Sequence, residues 1–238
     1  IDQIVSAKGN QTQGTLGTPF IWGATNSWGG VRCRNFQYNQ CEYADDIEPE
    51  RIDEICEETM GPYHMTGCFG CQVHCRAQYK ITEGPYAGRY DEGPEYTSQG
   101  AFGGETDTPR ATTVLTGNHL VDQFGMDNLE TGSLISWAME LYGLGIITAK
   151  ETDGLDLRFG NDEAVIEMIE RICYRKGWLA DALADGGIAA SKKIGKNSFD
   201  YLIQVKGMSN LHSDERATPG LALNIATASR GSDHLRSR

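Results

Sequence analysis

The clearest helix signal in this chain is residues 162–176, which read DEAVIEMIERICYRK. Their apolar side chains recur at the i, i+3, i+4, i+7 spacing that places them on one face of an α-helix. These side chains are Val165, Ile166, Ile169, Ile172 and Cys173. Asn161 is a suitable N-cap, and Gly177 is a suitable residue to end the helix. The segment therefore predicts an amphipathic helix with one face packed on a core.

Helical patterning continues on both sides of this segment. Further helices are predicted at residues 48–60, 110–124, 128–144, 178–184 and 188–194. In the segment 48–60, proline at the second position suits the first turn of a helix. The pattern as a whole predicts a mainly α fold with few strands.

Two stretches show no sustained period. Residues 1–45 and 61–104 are rich in Gly and in polar or turn-forming residues, which favours loops. Long irregular stretches in a compact domain are usually functional. We therefore predict a loop-rich region at residues 1–108, which carries most of the cysteines, and a helical domain at residues 109–238.

Composition limits the classes of partner. The chain has 238 residues, with 21 Lys and Arg against 33 Asp and Glu, for a net charge of −12. Binding to a phosphate backbone or to an anionic membrane surface requires clustered positive charge, so neither nucleic acid nor membrane is expected as a partner. The apolar stretches are interrupted by glycine and are too short to span a bilayer.

Seven cysteines are unevenly placed along the chain. Cys68, Cys71 and Cys75 lie within eight residues of one another, whereas the remaining cysteines are scattered. An odd number with tight clustering favours metal ligands over disulfide bonds. We therefore expect a reducing, anaerobe-compatible cytoplasm as the location of the protein.

The three clustered cysteines form a C-x2-C-x3-C run. Thiolates at this spacing can reach three corners of an iron–sulfur cube, while C-x2-C also occurs in zinc sites, and unligated core cysteines are a third interpretation. A cube needs a fourth ligand. Cys33, Cys41, Cys56 or a residue outside this chain must supply it.

Three polar patches follow the cysteines. The acidic turn at residues 91–96, DEGPEY, could bind a cation, supply acid–base groups or be a solvated surface turn. In the second patch, DQFGMD at residues 122–127, Gly125 is predicted to end one helix and Asp127 to cap the next, which leaves Asp122 unexplained. The third patch includes His234, which is either a structural residue or a proton-transfer group.

Together these patches resemble one family, the tungsten-containing aldehyde ferredoxin oxidoreductases. The resemblance runs from about residue 17 to the end of the chain, with its segments in the family's order. The matching segments are residues 34–36 (RNF), 68–75 (CFGCQVHC), 92–96 (EGPEY), 122–127 (DQFGMD), 205–208 (VKGM) and 226–236 (ATASRGSDHLR).

The resemblance implies the cofactors and their protein ligands. Cys68, Cys71 and Cys75 would ligate a [4Fe–4S] cluster. Asp122 and Asp127 would bind a pterin ring of a tungsten (or molybdenum) bis-pterin. The mainly α domains of this family imply that the present chain has the same helical architecture.

The resemblance also implies the reaction. The enzyme would oxidise a small aldehyde or acyl substrate with water to a carboxylic acid, and electrons would leave through the cluster to ferredoxin or to another iron–sulfur subunit. His234 would act in proton relay or substrate polarisation. Thr97 stands where family members usually have a glutamate close to the metal, and threonine cannot act as a general base at neutral pH. Glu95, His234 or water is expected to take over that role.

Two other functions remain as alternatives. A tungsten-dependent benzoyl-CoA reductase, from the same family, would run the cofactor in the reducing direction. An iron–sulfur electron-transfer module without pterin is the alternative from another class. The resemblance further implies that a second pterin motif with the fourth cluster cysteine follows residue 238, that an N-terminal β domain precedes residue 1, and that the protein is an oligomer.

Overall fold

The computed structural model of the chain describes residues 2–232 and His234. About 52% of the residues are helical, and the strands are few and short, so the predicted mainly α class is confirmed. The helices are α1 (Asp2–Val5), α2 (Lys8–Leu16), α3 (Trp22–Ser27), α4 (Pro49–Met60), α5 (Tyr96–Gln99), α6 (Ala111–Phe124), α7 (Asn128–Gly143), α8 (Asp162–Cys173), α9 (Trp178–Leu183), α10 (Gly187–Ile194) and α11 (Pro219–Thr227).

Two small antiparallel sheets accompany the described helices. Short 3₁₀ turns lie at Thr18–Ile21, Ala44–Ile47, Ser198–Tyr201 and Glu215–Ala217. One sheet has the order β1-β2-β3 and the other pairs β4 with β5. The strands are β1 (Met65–Thr66), β2 (Arg76–Lys80), β3 (Tyr90–Glu92), β4 (Gln204–Val205) and β5 (Met208–Ser209).

Helix α8 forms where its apolar period predicts it. The side chain of Asn161 accepts a hydrogen bond from the backbone of Ala164 at 3.3 Å and caps the helix. The helix ends at Cys173, three residues earlier than the apolar pattern predicts. The role predicted for Gly177 is wrong, because this residue, with φ of 89°, precedes α9 as its N-cap and does not terminate α8.

The first hundred residues contain more helix than their sequence predicts. Helices α1 and α2 have no buried residue, so they carry no apolar stripe that a periodicity search could detect. After α5, the chain continues in a π-helical turn, Gly100–Gly104, whose residues are all buried. Since Ala101 and Phe102 pack into the core formed by the later helices, contacts cross the division predicted at residues 108 and 109. That division stays a prediction.

The main hydrophobic core lies between α7, α8 and the two helices that follow them. Trp137 and Leu141 from α7 are fully buried against Val165 and Ile169 from α8. Val165 and Ile169 belong to the apolar stripe that the sequence pattern identifies in residues 162–176. Their burial removes apolar surface from water, which is the largest favourable contribution to folding.

Two smaller clusters hold the first half of the chain against this core. In one, Trp22 packs with Val31 and with Val114 of α6. In the other, Tyr79 of β2 packs between α4 and Leu115 of α6. The sheet that follows the cysteine run is therefore fixed by buried contacts. Among the described helices, none is long and apolar enough to cross a membrane.

Gly132 allows α7 to pack closely against the π-helical turn. A Cβ atom on Gly132 would lie 2.7 Å from the Cα atom of Ala101, which is much closer than real Cβ contacts. Gly143 ends the same helix and has no such neighbour within 4 Å. The two glycines therefore provide a matched pair for a packing test.

We expect Gly132→Ala to lower the free energy of unfolding by about 1–3 kcal/mol, because the added methyl group overpacks a filled contact. Gly143→Ala should leave it unchanged or raise it by up to about 1 kcal/mol, since alanine favours helix over glycine. Urea unfolding of both variants measures the difference. Equal effects of the two substitutions would contradict the packing argument.

Candidate functional site

The clustered cysteines lie on the loop that joins β1 to β2. Cys68 is exposed, while Cys71 and Cys75 are half-buried. The backbone N–H of Cys71 donates to the carbonyl oxygen of Cys68 at 2.9 Å, which closes a tight turn. Gly70, between them, has φ of 75°, a conformation that glycine adopts without strain.

Helix α2 and its C-terminal end pack against this loop through two glycines. A Cβ atom on Gly14 would lie 2.6 Å from the carbonyl oxygen of Val73, and one on Gly17 would lie 3.0 Å from that of Cys75. The backbone of the loop therefore has close support from α2 on one side. This support brings the N-terminal helices, which the sequence pattern does not predict, into the candidate site.

Glu95 lies beside the cysteines. Burial raises the pKa of the Cys75 thiol, and negative charge on Glu95, Cys71 and Cys68 raises it further. The Glu95 carboxylate also accepts a hydrogen bond from the hydroxyl group of Thr18. The structure therefore groups Glu95 with the cysteine run.

The donors of the loop are thiols, which both iron–sulfur clusters and zinc sites use as ligands. The loop offers three thiols, which an iron–sulfur cube uses at three corners. In residues 2–232 and His234, no three His, Cys, Asp or Glu side chains stand in a metal-binding arrangement. The fit therefore rests on the type and spacing of the donors.

The other candidate ligands for a fourth corner are buried in hydrophobic packing. Cys33 and Cys41 lie in the cluster around Trp22. Cys56, on α4, packs near Tyr79, and burial raises the pKa of its thiol to about 12. A metal ligand must be a thiolate. These three cysteines are therefore packed in hydrophobic clusters and do not belong to the cysteine loop.

Asp127 caps α7, as predicted. Its carboxylate accepts a hydrogen bond from the backbone N–H of Glu130 at 2.7 Å. Gly125 ends α6 in the left-handed conformation, with φ of 64° and ψ of 34°, also as predicted. The capping role accounts for the position of Asp127.

A polar cavity of about 380 Å³ brings Asp127 and His234 together. Lys206 and Arg230 also line it, and both come from segments that the family resemblance singles out. The Nζ atom of Lys206 donates to the carbonyl oxygen of Ala228 at 2.6 Å, which joins two of these segments. The cavity therefore gathers residues that are distant in the sequence, in a setting with donors and acceptors for a polar heterocycle.

Asp122 is exposed on the last turn of α6, among other charged groups. Partial burial and the nearby carboxylate of Asp91 raise its pKa, while the positive charges of His119 and Arg76 oppose that shift. Asn118 donates to one of its oxygen atoms at 3.3 Å. The two predicted pterin ligands thus lie on either side of the turn at Gly125, and of these two only Asp127 lines the cavity with His234.

The sequence pattern does not identify a buried ionic cluster formed by Arg32, Glu105 and His212. Arg32 Nη1 lies 2.8 Å from Glu105 Oε1, and His212 Nδ1 lies 2.8 Å from the same oxygen, with all three side chains fully buried. Burial opposes ionisation of Glu105, but Arg32 and His212 outweigh it and lower its pKa. No periodicity marks such a cluster, because its members are more than seventy residues apart.

Glu215 is buried near Arg32 of this cluster. Burial raises its pKa to about 7, while the charge of Arg32 acts in the opposite direction. Asn210, whose carbonyl oxygen accepts from Arg32 Nη1, also accepts from the hydroxyl group of Ser232, which lines the cavity. Asn210 therefore links the ionic cluster to the cavity wall.

The chain matches one known protein family and several known proteins. The family model described as aldehyde ferredoxin oxidoreductase, domains 2 and 3, matches residues 2–238. Tungsten-containing aldehyde ferredoxin oxidoreductases of Pyrococcus horikoshii and Pyrococcus abyssi are each 31% identical to this chain and cover 92% of it. The aligned region is 35% of each relative, so the chain spans about a third of the length of the relatives that it matches.

Two further proteins extend the comparison. A Pyrococcus furiosus protein named aliphatic sulfonate oxidoreductase, WOR-like subunit, is 31% identical over 59% of this chain and 23% of its own length. The active-site complex BamBC of benzoyl coenzyme A reductase contains a chain that superposes with a TM-score of 0.66 at 16% identity. That match covers 85% of this chain and 29% of the other, and it shows a shared fold.

The buried carboxyl group of Glu215 predicts a pH-dependent stability. Its pKa is about 7 in the folded state and ordinarily 4.5, so between these values the folded state binds more protons than the unfolded state. Its contribution is present at low pH and is lost as the pH rises through 7, by up to about 3 kcal/mol. Glu215→Gln should remove this loss.

Urea unfolding of the parent and of Glu215→Gln at about pH 5 and about pH 8 measures the effect. The parent should lose more free energy of unfolding than the variant between the two pH values. Other titrating groups affect both proteins alike. The same pH dependence in both would show that Glu215 keeps an ordinary pKa.

Proposed function

This chain belongs to the aldehyde ferredoxin oxidoreductase family, and we propose that it binds a [4Fe–4S] cluster and a tungsten (or molybdenum) bis-pterin in an enzyme that oxidises an aldehyde to a carboxylic acid. The observation that carries the proposal is the run of three thiols, Cys68, Cys71 and Cys75, on a loop packed against α2. Family membership makes an iron–sulfur cluster the expected occupant of these donors. The fourth ligand is expected from outside this chain.

The polar cavity is the proposed site of the pterin. Asp127 and His234 line it together, and Asp122 lies on the other side of the Gly125 turn. Carboxylate oxygens accept the N–H hydrogen bonds that a pterin ring donates. When bound, the bis-pterin metal would supply the two-electron redox chemistry and the cluster would supply the electron exit.

His234 is the proposed proton-transfer group. Oxidation of an aldehyde with water releases two protons and two electrons, so a base at the cavity is needed. Imidazole gains and loses a proton at a ring nitrogen near neutral pH, whereas the hydroxyl group of Thr97 does not. Glu95 is the other candidate for this role. Its contacts are with Thr18 and the cysteine loop, which favours His234.

One residue favours the alternative in which the cofactor runs in the reducing direction. Thr97 stands where family members usually have glutamate, which would suit a reaction in which no carboxylate removes a proton next to the metal. A benzoyl-CoA reductase type of activity is therefore the second candidate. Turnover with aldehydes and a low-potential acceptor, compared with turnover of an aromatic acyl-CoA and a reductant, separates the two.

Electron exchange with ferredoxin or with another iron–sulfur subunit is the proposed partnership. The curated relatives carry ferredoxin in their names, and two of the similar proteins are named as a subunit or as part of a complex. We propose an oligomer on the same ground, and a cytoplasmic location because the clustered cysteines favour metal ligands over disulfide bonds. The exposed Cys68 places the cysteine loop near the surface, where an electron partner can approach.

Substitution of a cluster ligand tests the first half of the proposal. Cys71→Ser in the native protein should lower the iron content well below the expected value of about four atoms per chain, because a serine hydroxyl group is a much poorer ligand for iron than a thiolate. Cys173→Ser is the matched control, since Cys173 is also half-buried but lies on α8. Iron analysis and the visible absorption of the cluster provide the measurement.

Metal content also separates the competing classes. Iron with tungsten or molybdenum supports the proposed enzyme, and iron alone supports an electron-transfer module. Zinc alone in the native protein would rule out both. Equal iron content in Cys71→Ser and Cys173→Ser would remove the cysteine run from the metal site.

Loss of the two aspartates tests the second half. Asp122→Ala and Asp127→Ala should each lower the tungsten and pterin content while iron remains, because they remove carboxylates from the pterin and not from the cluster. Asn161→Ala is the control for capping, since it removes the N-cap of α8 and costs about 1 kcal/mol of stability, as Asp127→Ala does. Equal tungsten loss in Asn161→Ala and Asp127→Ala would show that capping alone explains Asp127.

A further inference from the structure

Asn118 lies in the middle of α6 and is 3% exposed. We propose that it is a positioning residue that holds the Asp122 carboxylate in the orientation required for pterin binding. This inference rests on the proposed function, because it assigns the pterin to Asp122. No residue pattern in the sequence identifies Asn118, and its role is inferred from its hydrogen bonds.

Four groups surround the Asn118 side chain. Its Nδ2 atom lies 3.1 Å from Tyr79 Oη, 3.1 Å from the carbonyl oxygen of Glu92 and 3.3 Å from Asp122 Oδ2. Its Oδ1 atom accepts from the hydroxyl group of Ser98 at 2.7 Å. These partners come from β2, β3 and α5 as well as from α6 itself.

The neighbours fix which way the amide points. Tyr79 donates its own hydroxyl proton to the carbonyl oxygen of Leu115 at 2.9 Å, so its oxygen is free to accept. Ser98 accepts from Asn128 Nδ2 at 2.9 Å, so its own proton is directed to Asn118 Oδ1. The neutral amide supplies one acceptor oxygen and two N–H protons, which the three acceptors around Nδ2 share. An aspartate at this position would supply acceptors only.

Asn118 thereby connects the cysteine loop to Asp122. Tyr79 lies on β2, the strand that begins directly after Cys75. Gly93 also comes close, since a Cβ atom there would lie 3.0 Å from Asn118 Nδ2. The amide thus touches the strand after the cluster loop, the turn that leads to Glu95 and the proposed pterin ligand.

Charged groups around Asp122 act on its carboxylate in opposite directions, and Asn118 donates to that carboxylate directly. Asp91 lies near enough to oppose ionisation of Asp122, and its own partner is His119, whose Nδ1 atom is 2.7 Å from Asp91 Oδ2. His119 and Arg76 favour the ionised form of Asp122. Asn118 is the donor hydrogen-bonded to the carboxylate itself. Hydrogen bonds to a charged group are stronger than neutral ones and fix its orientation.

The test compares Asn118→Asp with a control on the same helix in the native protein. Asn118→Asp removes the donors with little change in shape. Thr113→Val removes one buried hydrogen bond, from Thr113 Oγ1 to Asp162 at 3.0 Å, without touching Asp122. We expect tungsten and pterin to leave Asn118→Asp roughly tenfold faster than they leave the parent protein, with iron retained, and to leave Thr113→Val at the parental rate.

A double-mutant cycle separates positioning from general destabilisation. If Asn118 acts through Asp122, adding Asn118→Ser to Asp122→Ala should not speed cofactor release beyond the rate of Asp122→Ala alone. A purely structural role would make the two effects multiply. Asn118→Ser, which retains one donor, also serves if Asn118→Asp does not fold.

Two results would overturn the inference in distinguishable ways. Full retention of tungsten and pterin in both Asn118 variants, with loss in Asp122→Ala, would remove Asn118 and leave the proposed function intact. Absence of tungsten, molybdenum and pterin from the native protein would overturn the proposed function and this inference together. Release from Thr113→Val as fast as from the Asn118 variants would assign the effect to the stability of α6.

Discussion

Burial of α6 is the constraint on which the rest of the described chain depends. This helix contributes Leu120 to the core of the later helices, Val114 to the cluster around Trp22 and Leu115 to the cluster that holds β2. Ten of its fourteen residues are buried, so it has no broad solvent face. A helix in this position sets the spacing of everything packed around it, because close-packed interiors do not deform continuously. The cysteine loop and the Gly125 turn are thereby held at fixed places relative to one helix.

The ionic cluster at Arg32 is a second constraint, and it holds distant segments of the chain together through polar contacts. Arg32 Nη1 also donates to the carbonyl oxygens of Asn210 and Leu211, at 2.7 and 2.9 Å, which ties the start of the chain to its last fifty residues. Removal of one partner from a fully buried ion pair leaves an uncompensated charge and typically costs about 3–5 kcal/mol. Glu105 is that partner, and it follows the π-helical turn directly. The polar cavity therefore depends on contacts made far from its lining.

The sequence predicts the later helices well because each carries an apolar stripe and local caps. The stripe of α8 and the caps at Asn161 and Asp127 are local signals, and the structure confirms them. Helix α2 could not be predicted this way, since its burial is slight and its role, contact with the cysteine loop through Gly14, is long-range. The candidate site divides in the same manner. Spacing alone brings the three clustered thiols into one loop, whereas the meeting of Asp127 with His234 depends on chain segments a hundred residues apart.

The polar residues of α6 show why this buried helix is not simply apolar. Three of its buried side chains each contact a carboxylate: Thr113 contacts Asp162, Asn118 contacts Asp122 and His119 contacts Asp91. A polar group is costly to bury unless it is hydrogen-bonded, and these three have partners. Helix stability alone would favour leucine or alanine at such positions. Donors on a rigid, buried helix hold acidic side chains in fixed orientations, so part of the chain's excess negative charge is anchored along α6. Binding of a nitrogen-rich ring by Asp122 would use an orientation that the fold already maintains.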